Sequence, residues 1–443
     1  MTPVSLPVLL CVIPLTWLSA ALLPLRRKPI AMALGGLAMT AAAGGMPAVL
    51  LTALSVCLGW LTVRLLPDRR RHSRRTALIG TVGAALQLLM LLPGALLLTG
   101  AARLPLLLCV MQSLDCIRLR ALGAMPIPAL SAFWYYQCAL PRLFCGPVQT
   151  YSEADRQYRS CVPSVQLAGR GALRCTLGLM QCVLLSAPMC TLWRELTAQR
   201  AAVSAADTWL LLTVFYCAVY YAVRGLAELG TGLAALMGYA LPEPFHEPIL
   251  ARSLADLTDR WLTWLAQWCR RVLLRDGLPL DNAAYFVRMM LFFCLLGSYL
   301  RPGLQVLLWS AFAAALLTLS RVLRRRGFLL PRTAAMIAVG VCVLLCAGLM
   351  QADSVTGSIG MLRALVGANG LLFTGGTLYL VKIHWVPLLL SLIGLLPLGR
   401  LLRSAMQKSR ALQVTGSVLI PLCELAVLLL CMTELLRQWT SQV

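Results

Sequence analysis

Two acidic side chains lie in stretches of the sequence that are otherwise apolar. Glu228 stands in a glycine-containing apolar run, and Asp115 follows Gln112 in a proline-rich apolar segment. An ionisable group in such surroundings is costly to bury, so it is a candidate for proton transfer or for binding a ligand. The alternative is a pairing with arginine that only fixes helix packing, and Arg118 and Arg120 lie close to Asp115 in the chain. Both interpretations stay open from the sequence.

The three histidines are the other candidates for a base. His72 lies in a run of arginines and is predicted to be solvated. His246 lies in the turn-rich segment Leu241–Pro248, expected at a membrane face, and His384 precedes Trp385, where an interfacial position is expected. None stands in a recognisable arrangement with a nucleophile or carboxylate, and no phosphate loop, nucleophile elbow or zinc signature occurs. The 17 cysteines are scattered singly, which favours packing over metal binding or disulfides.

The elements that carry these residues are predicted to be membrane helices. The chain of 443 residues is 60% hydrophobic and only 12% charged, whereas soluble domains carry roughly 25% charged residues. Apolar runs long enough for a bilayer core, about 20 residues each, recur from end to end. The net charge of +23 comes from arginine clusters between these runs, as cytoplasmic loops require. No stacking aromatics are interleaved with the clusters, which argues against nucleic acid as a partner.

The order of runs predicts both the spans and their orientation. The first run, about 5–25, has no cation before it and Arg26 to Lys28 after it, which indicates a retained helix with its N-terminus outside. A hairpin is predicted over 30–44 and 47–66, turned by Gly44–Pro47. Further helices are predicted near 76–98, 168–194, 207–238, 280–300, 302–322, 333–351, 372–398 and 411–436. These spans place the arginine clusters near Arg26, Arg69, Arg321 and Arg400 on one side, the cytoplasm.

Two segments do not fit simple spans. Residues 104–150 contain five prolines and are predicted to be too broken for ordinary helices, so they should line a cavity or be buried by protein. Residues 253–275 predict an amphipathic interfacial helix, with Trp261, Trp264 and Trp268 on one face at headgroup depth. Asp256 and Arg260 are spaced to pair one turn apart.

Five short motifs, in the same order along the chain, resemble the membrane-bound O-acyltransferase (MBOAT) family, in particular its bacterial alginate-O-acetyltransferase-like branch. They are Pro105 with Gln112–Leu114, Pro141–Pro147, Glu228, Leu241–Ser253 with Asp256 and Arg260-Trp261, and Ala352–Ser354. The resemblance implies an all-α helical bundle with re-entrant or broken segments and interfacial helices around a central cavity. It also implies one domain over 1–443, made of N-terminal helices (1–100), a cavity-forming core (101–322) and C-terminal helices (323–443).

In that family a histidine in a Gly-Leu-Trp-His-Gly stretch acts as the base, and a second histidine ends an Arg-Arg-Trp-His stretch. This chain reads Arg260-Trp261-Leu262 at the second place. Aligned through Trp309, it carries Leu300 at the first, with Tyr299 and Arg301 beside it. Leucine neither accepts nor donates a proton, so the scaffold resembles the family more closely than the catalytic positions do.

Two hypotheses therefore stay open. The chain is an O-acyltransferase linked to acylation of cell-envelope or exported polysaccharide, with its base moved to Glu228 or His246, or it is a catalytically inactive relative that binds lipid, glycan or a partner. The resemblance implies a bacterial plasma membrane, an acyl-CoA or acyl-carrier donor, no bound cofactor or metal, and an extracytoplasmic acyl-relay or polysaccharide-modifying partner besides membrane lipids. The candidate cavity residues are Glu228, Asp115, Gln112, His246, Arg260, Trp261, Tyr299 and Arg301.

Overall fold

The chain is an all-α polytopic membrane protein. The computed structural model describes residues 8–24, 27–67, 74–146, 149–159, 164–198, 204–274, 280–301, 303–328, 330–352, 354–367, 375–397, 399, 404, 408 and 410–440. Within these residues every regular element is helical, and eight helices are long and apolar enough to cross a membrane. The low charge and grouped apolar residues of the sequence therefore predicted the fold class correctly.

Twenty α-helices follow one another along the described residues. They are α1 (Ile13–Leu22), α2 (Lys28–Leu65), α3 (Arg74–Leu89), α4 (Leu91–Leu97), α5 (Arg103–Ala121), α6 (Leu130–Cys138), α7 (Leu140–Cys145), α8 (Tyr151–Arg159), α9 (Val165–Met180), α10 (Ala187–Ala198), α11 (Ala205–Leu236), α12 (Leu254–Arg260), α13 (Thr263–Trp268), α14 (Asn282–Leu300), α15 (Gln305–Arg325), α16 (Arg332–Gln351), α17 (Val355–Leu365), α18 (Gly375–Ile383), α19 (Trp385–Gly394) and α20 (Arg410–Thr440). Three π-helical turns, Val8–Val12, Gln181–Ser186 and Cys269–Leu274, and two 3₁₀ turns, Gly100–Ala102 and Pro248–Leu250, complete the set.

The helices divide into two compact units. The first comprises residues 1–175, 227–244 and 263–278, and the second comprises 176–226, 245–262 and 279–443. In the first unit, α2 packs along α3, α5 and α6, and its core holds Val56, Val63, Phe133 and Tyr136. In the second unit, α15 packs between α14 and α16.

Close approach between α2 and α6 depends on a residue without a side chain. A Cβ atom at Gly36 would lie 1.7 Å from the backbone oxygen of Cys138, so the two helices fit together only with glycine at this position.

We expect Gly36→Ala to lower the free energy of unfolding by about 1–3 kcal/mol, because the backbone of α6 would have to move. Gly80→Ala is the matched control, since the nearest atom to its added Cβ is Leu66 Cδ2 at 3.9 Å. The control should be neutral or stabilising, by about 0.5–1 kcal/mol, because alanine is the better helix former. Thermal unfolding in detergent measures both, and equal midpoints for the two variants would contradict the packing argument.

The element α2 consists of two helices that meet at Gly45, where φ is +66° and ψ is −163°. This break lies inside the predicted turn Gly44–Pro47, between the two helices predicted over 30–44 and 47–66. Ala33 of the first helix and Val56 of the second belong to the same core cluster. The orientation inferred for Arg26 and Arg69 depended on that hairpin, and both residues lie outside the described part of the chain.

The segment 104–150 is more regular than its prolines suggested. Its first part is the 19-residue helix α5, with Pro105 in the first turn, where a proline removes no helical hydrogen bond. Only the later part is broken, into the short helices α6 and α7. Conversely, the predicted single helix over 372–398 consists of α18 and α19, which are bent by 73° at His384.

Candidate functional site

A buried ion pair lies at the centre of α5 in the first unit. Asp115 is 2% exposed, and its carboxylate accepts hydrogen bonds from Arg271 Nη2 at 3.0 Å and Nε at 3.4 Å. Its partner is therefore not Arg118 or Arg120, its neighbours in sequence. Arg120 instead donates to the carbonyl oxygens of Met125 and Leu66. Asp115 does pair with an arginine, as one of the two interpretations held, but that arginine is Arg271 from a distant segment of the chain.

Indole and amide groups surround this pair. Trp268, one turn before Arg271, donates its indole N–H to the carbonyl oxygen of Met111 at 2.9 Å. Gln112 is 1% exposed, and its Oε1 has no hydrogen-bond partner among the described residues. Gln137 from α6 donates to Ser113 Oγ at 3.0 Å. The α5 surface that the sequence marked as a candidate is therefore a densely packed polar region.

Arg142 is a further charged member of this region, and sequence reasoning missed it. It lies in the Pro141–Pro147 motif, is 2% exposed, and stacks over the rings of Tyr136 at 5.0 Å and Tyr135 at 5.8 Å. Among the described residues, its Nε and Nη1 have no hydrogen-bond partner. The motif itself was the available signal, since it places a cation in an otherwise apolar segment.

Glu228 lies in a separate ion cluster of the first unit. Arg174 reaches Glu228 at 3.7 Å, Glu243 at 2.5 Å and the hydroxyl of Thr231 at 3.4 Å. One guanidinium therefore joins the end of α11 to the loop that follows it, which is the geometry of a structural ion pair. Glu228 is thus engaged by Arg174 rather than left open to an acceptor hydroxyl.

The Pro-rich loop of the second unit is fixed by Asp256. This carboxylate accepts hydrogen bonds from the Arg252 backbone N–H at 2.9 Å and from Arg260 Nε at 2.7 Å, which confirms the predicted Asp256–Arg260 pair. The amide of His246 in turn donates to the carbonyl oxygen of Arg260 at 2.9 Å. The His246 side chain is exposed and forms no hydrogen bond or ion pair with any described residue.

The Asp256 contacts make this loop sensitive to acid. Burial raises the pKa of Asp256, but the hydrogen bonds from Arg252 and Arg260 outweigh burial and leave the pKa below its usual value. A group whose folded-state pKa is lowered stabilises the fold above its unfolded pKa of about 3.9, and this stabilisation disappears as the pH falls through the folded value. We therefore expect Asp256→Asn to lower the thermal midpoint at pH 7, and we expect this deficit to shrink as the pH falls below the unfolded pKa of about 3.9. A deficit that stays constant as the pH falls would contradict this role.

The tryptophans of 253–275 do not share one face, contrary to the prediction. The segment is broken at Leu262, whose φ of +47° lies in the left-handed region, so α12 and α13 are separate helices. Trp264 and Trp268 are buried inside the protein, at 7% and 4% exposure. Trp261 packs in the second unit against Tyr220, at 5.4 Å between ring centroids, and against Tyr216 and Phe245.

The contacts of the residues beside Leu300 hold two helix ends together. Tyr299 is 3% exposed, and Arg301 Nη1 donates to the carbonyl oxygens of Met350 at 3.0 Å and Gln351 at 2.7 Å. These contacts join the end of α14 to the end of α16. Within the second unit, Tyr299 and Arg301 thus lie at one helix junction, and Arg260 and Trp261 lie at the Pro-rich loop.

One histidine does have the geometry of a base. His384 Nε2 lies 3.0 Å from Glu195 Oε2, with side-chain exposures of 17% and 41%. His384 occupies the bend between α18 and α19, and Glu195 lies on α10. The sequence separation of 189 residues hid this pair. Among the described residues no group of three or more His, Cys, Asp or Glu side chains could hold a metal ion.

Comparisons with known proteins give partial matches. No family model matches the chain. A protein described as "Probable alginate O-acetylase AlgI" from Pseudomonas aeruginosa is 23% identical over 138 residues, 31% of this chain and 26% of that protein. The protein of the same description from Pseudomonas syringae pv. tomato is 22% identical over 138 residues. That from Azotobacter vinelandii is 21% identical over 194 residues, 43% of this chain and 39% of that protein.

The chain thus matches only about a quarter to two-fifths of the length of these curated relatives. These matches support the resemblance to membrane-bound O-acyltransferases that the five motifs indicated. The identity is low, and each catalytic and binding role must therefore be argued from the residues of this chain.

Proposed function

We propose that this protein is a membrane O-acyltransferase that acylates hydroxyl groups of a cell-envelope or exported polysaccharide. The similarity to proteins described as alginate O-acetylases supports the reaction class, and the polytopic all-α fold suits a donor and an acceptor on opposite sides of a membrane. The donor is an acyl-CoA or acyl carrier. The protein lies in a bacterial plasma membrane with its N-terminus outside, and an extracytoplasmic acyl-relay or polysaccharide-modifying protein is its partner.

The His384–Glu195 pair is the observation that carries this proposal. Acyl transfer to a hydroxyl needs a base, because the acceptor must lose its proton as it attacks. Leu262 and Leu300 cannot supply one, Glu228 is ion-paired, and His246 has no carboxylate partner among the described residues. A histidine whose one ring nitrogen faces a carboxylate is held in a single orientation and tautomer, which leaves the other nitrogen to accept a proton.

In the proposed reaction, Glu195 holds His384 through Nε2 and Nδ1 accepts the proton of the acceptor hydroxyl. The acceptor oxygen forms a C–O bond to the acyl carbon as the C–S bond of a thioester donor breaks. The proton on His384 then passes to the leaving thiolate. Protons and electrons balance without any further reactant, and a metal ion is not required.

The second candidate function is that of a catalytically inactive relative that binds lipid, glycan or a protein partner. What favours it is that the resemblance aligns Leu262 and Leu300 with the two positions where the family has histidine. The two candidates differ in one measurable property, the turnover of an acyl donor.

The deciding experiment uses purified protein in liposomes with acetyl-CoA labelled in its acetyl group and a short alginate oligosaccharide as acceptor. We expect labelled, hydroxylamine-sensitive acetyl esters on the oligosaccharide, identified by mass spectrometry, at a rate proportional to protein. His246→Ala should retain this activity, because its exposed side chain has no partner among the described residues. Donor turnover no faster than in protein-free liposomes would overturn the enzyme proposal and favour the inactive alternative.

A further inference from the structure

A cavity of about 350 Å³ lies where four helices of the first unit meet. Its walls are the second half of α1, the first residue of α2, the start of α9 and the end of α11. The indole N–H of Trp17 in α1 donates to the carbonyl oxygen of Leu236 at 3.3 Å, which ties α1 to the end of α11. Ligand sites in proteins typically enclose about 300–1,000 Å³, so this space is large enough for a small group.

Lys28 is the one charged residue among the described residues that line this cavity. Its side chain is 8% exposed, and its ammonium forms no ion pair or hydrogen bond with any described residue. Arg103 of the same unit is equally buried, but it donates to the carbonyl oxygens of Leu98 and Ala95, both at 2.7 Å. A buried cation is costly unless an anion or another acceptor meets it. A group inside the cavity is in a position to meet Lys28.

The described elements around the cavity supply no carboxylate for Lys28. The helices α1, α2 and α9 contain neither aspartate nor glutamate. In α11, Asp207 lies in the first turn, at the opposite end of the helix from the cavity. The second acid of α11, Glu228, is paired with Arg174, which also binds Glu243 in the loop that follows. The cavity therefore has a positive charge that the chain leaves uncompensated.

The start of α9 adds a second attraction for an anion. Ser164 caps this helix, since its Oγ accepts a hydrogen bond from the N–H of Leu167 at 3.2 Å and its carbonyl oxygen accepts one from Ala168 at 2.9 Å. The N–H of Val165, which lines the cavity, precedes these bonds and has no acceptor within the helix. The N-terminus of a helix carries a partial positive charge and binds anions. Two separate features of one cavity thus favour a negative group.

The surface beside the cavity is apolar. Leu18 and Leu22 of α1 and Val165 of α9 are exposed. Together with the π-helical turn before it, α1 forms an apolar helical stretch, Val8–Leu22, and Lys28 follows six residues later. A cation just beyond an apolar membrane segment lies at the depth of the lipid headgroups. The combination of a cationic cavity and an apolar flank suits an amphiphile with a negative head.

We propose that this cavity binds the phosphate of an anionic phospholipid. The Lys28 ammonium and the N-terminus of α9 hold the phosphate, and the acyl chains lie along the exposed face of α1. A basic pocket between membrane helices selects anionic headgroups by charge, whereas a zwitterionic headgroup would bring a second cation to a site that already has one. This lipid site depends neither on acyl transfer nor on the His384–Glu195 pair.

The experiment measures the thermal midpoint of the full chain, stripped of lipid in neutral detergent, because a ligand that binds only the folded state raises that midpoint. The probes are phosphatidylglycerol, phosphatidylcholine and inorganic phosphate, each titrated at constant ionic strength. We expect a saturable rise with phosphatidylglycerol and at most a weak one with the other two. A rise of equal size with phosphatidylcholine, or no rise with phosphatidylglycerol, would overturn the proposal. Inorganic phosphate as effective as the lipid would overturn the assignment to a phospholipid.

Two substitutions of Lys28 test the role of its charge. Lys28→Gln should lower the affinity for phosphatidylglycerol by roughly tenfold or more, the usual effect of losing a hydrogen bond from a charged group, and Lys28→Arg should retain most of it. Arg74→Gln, an exposed arginine of the same unit, is the matched control and should bind as the unmutated protein does. Equal affinity in Lys28→Gln and Arg74→Gln would contradict the site.

A third variant tests the cavity with the charge in place. Ala168→Phe puts a ring into the space that Ala168 lines and leaves Lys28 unchanged, so it should also weaken the binding of phosphatidylglycerol. Unchanged affinity in folded Ala168→Phe protein would show that the lipid binds elsewhere. This variant decides the question if Lys28→Gln does not fold.

Discussion

Replacement of His384 by alanine is expected to slow acyl transfer by roughly 10²–10⁴-fold, the usual contribution of a general base. The reason is geometric. His384 Nε2 lies 3.0 Å from Glu195 Oε2, so the carboxylate holds the imidazole and leaves Nδ1 for the acceptor hydroxyl. The measurement is the initial rate of acetyl ester formation in liposomes, with the thermal midpoint of each variant determined in parallel to exclude unfolding.

Chemical rescue separates a catalytic histidine from a structural one. Imidazole in the buffer should restore part of the His384→Ala rate, because a small base can enter the space that the side chain vacates, whereas a purely structural defect would not respond. Glu195→Gln should also reduce the rate strongly, since the amide still contacts the ring but no longer fixes its tautomer or stabilises the protonated imidazole. His246→Ala is the control histidine variant. Unchanged turnover in His384→Ala, with folded protein, would rule out this base.

The sequence predicted features that depend on short-range periodicity. Apolar runs of about 20 residues identified the helices later observed as α11, α14, α15 and α16, because the bilayer fixes their length. The Asp256–Arg260 pair followed from a spacing of four residues, one helical turn. Both inferences needed only local geometry, and both were confirmed.

The sequence could not predict partners that come from distant segments. Asp115 and Arg271 are 156 residues apart, and Glu195 and His384 are 189 apart. Helix packing alone brings such residues together, and a single sequence does not encode packing in a readable pattern. The tryptophan prediction failed for a backbone reason. The periodicity of Trp261, Trp264 and Trp268 assumes a continuous helix, and the left-handed φ of Leu262 interrupts it.

Leu262 bears both on the failed tryptophan prediction and on the histidine position that the resemblance implies. Leucine rarely adopts a left-handed backbone conformation, and such a residue costs of order 1–3 kcal/mol that its surroundings must offset. The strain lies at one of the two positions where the resemblance implies a histidine. Leucine offers no proton-transfer chemistry at this position, so the proposed reaction places its base elsewhere in the chain.

The largest effect on stability is expected from Asp115→Ala. Asp115 is 2% exposed and holds Arg271 through two hydrogen bonds. Its removal leaves the buried guanidinium of Arg271 without its carboxylate partner. Breaking a buried ion pair from one side typically costs about 3–5 kcal/mol, because the remaining charge is left uncompensated. Thermal or denaturant unfolding in detergent measures this change.

The double variant Asp115→Leu with Arg271→Met tests whether the charge or the packing is responsible. Replacing both partners by apolar side chains of similar size is often neutral or stabilising, so the double variant should recover most of the stability that Asp115→Ala loses. A double variant as unstable as Asp115→Ala would show that shape, rather than charge, makes Asp115 necessary.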